Sequence, residues 1–387
     1  MKHLLCILFS LVLAMTSIAQ DACNLRISLL TCSPGNELYS TFGHTAVRVQ
    51  DASTGNDLIF NYGTFDFNSE FYVKFIRGQL LYFLSVQDFD SFIYQYQTES
   101  RSVVEQQLNL SCLQKQKLFY ALKQNALEQN KYYRYDFLFD NCTTRAKDII
   151  KQNAGARVLF RNILPSNAPT FRDLIHSYLN AAGQHWSKLG IDLLLGAKLD
   201  RKVTNEQAMF LPDYLMKGLD NATMQNQPVV QSKQTILQMP SPITSSSVLT
   251  PFIVFLALFL LIAAATFFGG GATLSAMRFF DFVLFSVLGI IGFLLLFMWF
   301  GTDHNVTQSN YNLLWALPSH LIIAFFLLRR RAWVRRYFQI SFLLGVILLV
   351  FWFFLPQEMN NGFIPIIFIV ILRSWQLSRI KYATENN

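Results

Sequence analysis

Within this 387-residue chain, the residues best suited to covalent chemistry gather around Cys142. It follows Asp140-Asn141 and opens Thr143-Thr144-Arg145-Ala146-Lys147-Asp148-Ile149-Ile150-Lys151, a stretch of helical character. Asp140 or Asn141 is the expected N-cap, which puts Cys142 in the first turn. A helix start carries about half a positive charge and unpaired N–H groups, and both favour thiolate over thiol. Such a nucleophile needs a base to take its proton and return it to a leaving group, normally a histidine. Of His44, His176 and His185, the candidate is His44, which begins an expected strand in Phe42-Gly43-His44-Thr45-Ala46-Val47-Arg48-Val49. The glycine before it leaves room for close approach. His176 and His185 flank a polar helix and loop and read as solvated surface residues. Plainer readings stand beside these: a core histidine bonded to a carbonyl, and Cys142 as half of a disulfide or a small buried hydrophobe.

The elements that must carry these residues can be read from pattern. Residues 24–110 favour strands, with Leu25–Leu30, Thr45–Val49 and Leu58–Tyr62 as short β-prone runs and Asp51 to Asn56 supplying a turn. Cys112 to Gln129 has apolar residues at helical spacing behind Ser111 as N-cap. An aromatic stretch, Tyr132 to Phe139, then leads into the Cys142 helix. Residues 1–19 read as an export signal: Lys2, an apolar run from Leu4 to Met15, and small residues at Ser17 and Ala19. With Cys6 set aside in that segment, Cys23, Cys32, Cys112 and Cys142 remain, and an even number in an exported chain points to disulfides.

Composition sets the C-terminal third apart from the rest. The chain is 52% hydrophobic and 14% charged, where soluble domains carry roughly 25% charge. From Val248 onward stand nine Lys/Arg against four Asp/Glu, so most of the formal +8 belongs to the C-terminal third and no basic face for nucleic acid is left in the middle. That third contains five apolar blocks near spanning length: Val248–Phe268, Phe279–Phe300, Tyr311–Leu328, Tyr337–Leu355 and Gly362–Trp375. Arg278, the Arg329-Arg330-Arg331 and Arg335-Arg336 cluster, and Arg373, Arg379 and Lys381 alternate with two loops, 301–310 and 356–361, that have no Lys or Arg. The positive-inside rule then sets the Arg loops and the C-terminus in the cytoplasm and everything before Val248 outside. Gln225 to Ser247, rich in Gln, Ser and Pro, shows no sustained period and reads as a linker. The division expected is thus a signal at 1–19, a catalytic domain at 20–224, a linker at 225–247 and a transmembrane domain at 248–387. Asp303, and His320 near the start of the third span, place polar groups toward the outer surface and are candidates for a functional role there.

Three segments together, Tyr39-Ser40-Thr41-Phe42-Gly43-His44-Thr45-Ala46-Val47-Arg48-Val49, Phe60-Asn61-Tyr62-Gly63 and Phe137-Leu138-Phe139-Asp140-Asn141-Cys142-Thr143-Thr144-Arg145, resemble the periplasmic domain of Lnb-type lipoprotein N-acyltransferases. The five-span tail resembles that family's membrane part. The resemblance implies an α+β fold of permuted papain-like type, a small antiparallel sheet bearing His44 packed on a helix bearing Cys142, followed by an all-α membrane domain. It implies Cys142 as nucleophile and His44 as base. The third, orienting residue is Asn61 or Tyr62, which a hairpin brings opposite His44; Asn61 is preferred because its amide accepts the imidazole N–H, with Asp66 in reserve. Tyr62, Asp140, Asn141, Asp303 and His320 are the candidate substrate-binding residues. The implied reaction moves an acyl chain from a membrane phospholipid through a Cys142 thioester to the α-amino group of a diacylated lipoprotein. It takes place at the bacterial inner membrane, with no metal, cofactor or nucleic acid. Two other readings use the same residues: a papain-like peptidoglycan endopeptidase, and a membrane receptor for a lipid or peptide.

Overall fold

The computed structural model describes residues 23–66, 71–240, 248–327 and 332–379. The signal-like segment 1–19, Arg329 to Arg331 and Lys381 lie outside the described residues.

An antiparallel sheet forms the frame of the first part. Its strands are β1 (Leu25–Cys32), β2 (His44–Asp51), β3 (Asn56–Thr64), β4 (Leu81–Asp88), β5 (Val103–Leu108), β6 (Tyr132–Arg134) and β10 (Val230–Leu237), in the spatial order β10-β5-β1-β2-β3-β4-β6. Between them come α1 (Phe71–Arg77), α2 (Phe89–Thr98) and α3 (Cys112–Asn125), and after β6 the helix α4 (Cys142–Asn153). A second small sheet, β7 (Val158–Phe160), β8 (Ala222–Met224) and β9 (Gln227–Pro228), brackets in sequence the helices α5 (Phe171–Ala181), α6 (His185–Leu194), α7 (Asn205–Ala208) and α8 (Pro212–Asp220). The alternating apolar residues of β1 to β3, among them Ile27, Leu29, Val47, Val49 and Phe60, are buried against Leu118 and Leu122 of α3 and Ala146, Ile149 and Ile150 of α4. This core presses the start of α4 against the strand that carries His44.

The strand β10 corrects the linker reading. Its sequence, Val-Gln-Ser-Lys-Gln-Thr-Ile-Leu, is mostly exposed and lacks an apolar face, so it shows no period. It is an edge strand held by backbone pairing with β5 and by side-chain bonds such as Gln234 to Glu105, at 2.7 Å. The cysteines correct the disulfide reading: none of Cys23, Cys32, Cys112 and Cys142 is in a disulfide.

The helical second part comprises α9 (Pro251–Phe268), α10 (Gly271–Phe300), α11 (Ser319–Leu327), α12 (Ala332–Val350) and α13 (Phe363–Arg379). Among the described residues four segments are long and apolar enough to cross a membrane: Pro251–Phe268, Gly271–Phe300, Asn305–Leu327 and Trp333–Val350. The third is not one helix, because short 3₁₀ turns at Asn305–Thr307 and Tyr311–Leu314 precede α11. The remaining helix, α13, packs against α9 and α12, and its Arg373 makes a buried bidentate pair with Asp281 of α10 at 2.6 and 2.7 Å.

The two parts are joined by more than a chain. Asp192 of α6 is wholly buried; its Oδ1 accepts from Arg172 (2.7 Å) and from His176 Nε2 (2.8 Å), and its Oδ2 accepts from Asn360 (2.8 Å). Asn310 and Asn312 donate to the last carbonyls of α6, at 2.8–3.1 Å, and Gln357 donates to Leu195 O at 3.2 Å. The C-terminus of α6, which would leave its carbonyls unpaired, is thus capped by the membrane part. His176 is therefore no surface residue: it is buried in this junction.

Candidate active site

The sheet brings His44 and Asn61 onto one face. β2 and β3 pair with Val47 opposite Phe60; carried one residue further, that register sets Ala46 opposite Asn61, so Asn61 is the diagonal neighbour of His44. His44 Nε2 and Asn61 Oδ1 are 2.6 Å apart. With Asn61 accepting from Nε2–H, Nδ1 is left for Cys142, whose side chain hydrogen-bonds His44. Cys142 arrives at the first position of α4 because Asn141 caps that helix: its Oδ1 accepts from the N–H groups of Thr143 and Thr144, both at 2.9 Å. Asn141 is anchored in turn, its Nδ2 donating to Phe137 O and Phe210 O.

These surroundings set the charge state. Burial on its own raises the Cys142 thiol. The His44 ring, its hydrogen bond, the Thr45 backbone N–H and the Thr143 hydroxyl outweigh it and bring the thiol down to about 7. Burial lowers His44, and the Cys142 charge with the hydrogen bonds to Cys142 and Asn61 raises it above its ordinary value overall. Each member thus stabilises the charged form of the other, the condition for a thiolate–imidazolium pair near neutral pH. Cys32 shows the contrast: opposite His44 in the β1/β2 register, it is pushed by burial up to about 12.

Chemically, a thiolate can attack a carbonyl carbon, and the imidazolium held beside it in one orientation can protonate the group that leaves. The other candidates have different partners. Tyr62 is buried and its hydroxyl accepts from Asn125 at 2.8 Å. Asp140 forms a bidentate pair with Arg145 at 2.6 and 2.8 Å. Asp303 follows the end of α10; its N–H donates to Arg77 O (3.0 Å) and its carboxylate accepts from Gln79 (3.2 Å). His320 is completely buried in the helical part, its Nδ1 2.8 Å from the Tyr337 hydroxyl, which closes it to a head group at the surface. Asp66 is exposed beyond the end of β3.

Sequence reasoning missed Gly63. It lies in the irregular stretch of β3 between Asn61 and Thr64, with φ of +88°, and a Cβ there would come within 3.3 Å of Cys142 Cβ and 3.8 Å of His44 Cε1. Only glycine combines that backbone with that proximity. The signal was present as the glycine directly after Asn61-Tyr62, but nothing local tied it to Cys142.

Comparison with known proteins bears on both parts of the chain. The Lnb N-terminal periplasmic domain matches residues 18–177, a range that holds His44, Asn61 and Cys142. The Lnb transmembrane domain matches residues 243–385, taking in Asp303 and His320. The chain belongs to the Lnb-type lipoprotein N-acyltransferase family. Membership in the Lnb family makes it a bacterial membrane protein with a periplasmic region and a lipoprotein N-acyltransferase-type role. No curated protein and no solved structure was found to match it significantly.

Proposed function

We propose that this protein is a papain-like thiol acyltransferase of the bacterial inner membrane, made with a cleaved export signal at 1–19 and folded as a catalytic domain on a five-helix membrane domain with a cytoplasmic C-terminus. It takes an acyl chain from a membrane glycerophospholipid and passes it to the α-amino group of a diacylated lipoprotein's N-terminal cysteine. The Cys142 thiolate adds to the donor's ester carbonyl. The adduct collapses to a thioester as His44 Nδ1–H protonates the departing lysophospholipid oxygen. The lipoprotein amine then attacks the thioester, His44 accepts its proton, and the thiolate leaves. Asn61 fixes the imidazole tautomer throughout. The Cys142 N–H, which the Asn141 cap does not take, is the first donor available to the oxyanion.

The observation that carries this reading is the relay Cys142–His44–Asn61, with its 2.6 Å bond at the far end. It is supported by the way the domain rests on 301–312 and 357–360, loops free of Lys and Arg as expected at the periplasmic side. Mass spectrometry of lipoprotein N-termini tests it: cells with the protein should hold the triacyl form, and cells expressing Cys142→Ser or His44→Ala only the diacyl form. Triacyl lipoproteins at the normal yield in the Cys142→Ser strain would remove Cys142 from the mechanism, and cleaved peptidoglycan cross-links in place of N-acylation would favour the endopeptidase.

A further inference from the structure

Beside the dyad is a polar atom with nothing to do. Tyr133 of β6 is only 6% exposed, and its hydroxyl proton has no acceptor. The Gly63 N–H approaches its oxygen, but no acceptor takes its proton. An orphaned buried donor is costly, and native proteins rarely keep one without a use. The place where it points is informative. The side chain that Gly63 lacks would occupy a space walled by Cys142 Cβ at 3.3 Å, His44 Cε1 at 3.8 Å and the Tyr133 hydroxyl at 4.0 Å. That gap has a nucleophile, a proton donor and a spare O–H around it and no protein atom of its own to fill it.

We propose that Tyr133 is a catalytic residue whose hydroxyl donates to the oxyanion of both tetrahedral intermediates, beside the Cys142 N–H, with the substrate carbonyl seated in the space left by Gly63. The assignment rests on the acyl-transfer reading above. When Cys142 Sγ bonds to the carbonyl carbon, the C=O π pair moves to oxygen, and that oxygen accepts the Tyr133 O–H hydrogen bond. On collapse the C=O re-forms and the C–O bond to the lysophospholipid breaks, its electron pair receiving the proton from His44. The amine's attack repeats the sequence with the thiolate as leaving group. Tyr133 keeps its own proton throughout: burial and the nearby Cys142 charge hold the phenol well above its ordinary range, so it donates a hydrogen bond without ionising.

Two further observations fit a donor that must be held still. The Arg145 guanidinium lies over the Tyr133 ring, 3.6 Å from its centre, and Asp140 fixes that guanidinium through both carboxylate oxygens. Asp140, which the sequence offered as a substrate contact, is here a positioning residue. The main-chain pairing of Tyr133 with Tyr82 in β4 sets the height of the ring.

The test is Tyr133→Phe in the full-length protein in phospholipid vesicles, measured against wild type and Cys142→Ser. Phenylalanine keeps the ring under Arg145 and deletes only the oxygen. The kcat for acyl transfer and the rate of thioester formation without acceptor should fall about 10²-fold, the usual loss for one oxyanion donor, with KM within about twofold. Alkylation of Cys142 by iodoacetamide forms no oxyanion, so its rate and pH midpoint should not change. The thermal midpoint should change little, because the unpaired proton is removed together with the oxygen that the Gly63 N–H approaches. Transfer within about threefold of wild type, beside an inactive Cys142→Ser, overturns the Tyr133 assignment alone. A parallel loss of transfer and alkylation also overturns it, as that marks a packing role. Full transfer by Cys142→Ser defeats the acyl-enzyme reading instead, whatever Tyr133→Phe does.

Discussion

Cys32 and Cys142 both approach His44, one across the β1/β2 register and one from the tip of α4, and their surroundings drive them in opposite directions. Cys32 is sealed among apolar side chains and is held as a thiol, with its pKa at about 12, whereas Cys142 is brought to about 7. Because the lowered value belongs to the thiol, the reactive thiolate prevails above about pH 7 and is lost as the pH falls through it. The rate of alkylation of Cys142 should therefore rise with a midpoint near 7. In His44→Ala the midpoint should move up toward the ordinary thiol value of about 8.5 or beyond, since burial remains and its largest counterweight is gone. An unchanged midpoint would show that His44 does not set the thiolate. Gly63→Ala belongs at the same scale. A methyl at φ +88°, 3.3 Å from Cys142 Cβ, should cost about 1–3 kcal/mol of stability and nearly all transfer, measured by thermal melting and by triacyl yield. The structure brings together His44, Asn61 and Cys142, which the sequence offered as candidates: the first and last through their motifs and a family resemblance, and Asn61 through a hairpin register that left Tyr62 and Asp66 beside it. Gly63 and Tyr133 were not among them, because their roles exist only where β3, β6 and α4 converge.

Helix α4 depends on one residue for its start, and the same residue fixes the nucleophile. Asn141 occupies the N–H groups of Thr143 and Thr144 and is pinned by two carbonyls, so it aims Cys142 at His44 without contacting either side chain's reactive atom. Asn141→Ala should lower stability by at least about 1–2 kcal/mol, because the cap is lost and two buried carbonyls lose a donor. Asn141→Asp keeps the cap but faces those carbonyls with a carboxylate, and should recover only part of the loss. A thermal midpoint that Asn141→Ala leaves unchanged would mean that the cap is redundant. At this scale the sequence was a fair guide wherever burial wrote a period. The helices starting at Cys112 and Cys142 and the first three strands fall where the pattern sets them, with ends shifted by a few residues. The strand β10 escaped because an exposed edge strand of Gln, Ser and Lys leaves no apolar trace. The third span is broken because Pro318 has no N–H to donate and the turns before it bond to α6 instead of continuing a helix.

For the molecule as a whole, the membrane part is a floor as well as an anchor. Arg172 and Asp192 are wholly buried where α5 and α6 meet the loops 310–312 and 357–360. Asp192→Ala should destabilise the full-length protein by about 3 kcal/mol, the low end for breaking a buried pair, because Asp200 still holds Arg172. Loss of less than about 1 kcal/mol would demote the junction to a loose contact. A chain ended before Val248 should keep a Cys142 that reacts with iodoacetamide, as the relay lies within the sheet domain, yet melt at lower temperature and transfer almost no acyl chain between bilayer-embedded substrates. Full transfer from that fragment on intact bilayers would reduce the helices to a tether. The capped end of α6 also bears on biogenesis. Asn312 stands 120 positions after the Asp192 carbonyl that it caps, so a ribosome makes the periplasmic domain long before its last partners exist. The emerging domain must wait, with the end of α6 open, until the segment after α10 has been threaded into the bilayer. Completion of the enzyme is thereby coupled to correct insertion, and a chain stalled or misthreaded at the third span should display α6 to periplasmic proteases, a built-in mark for clearance.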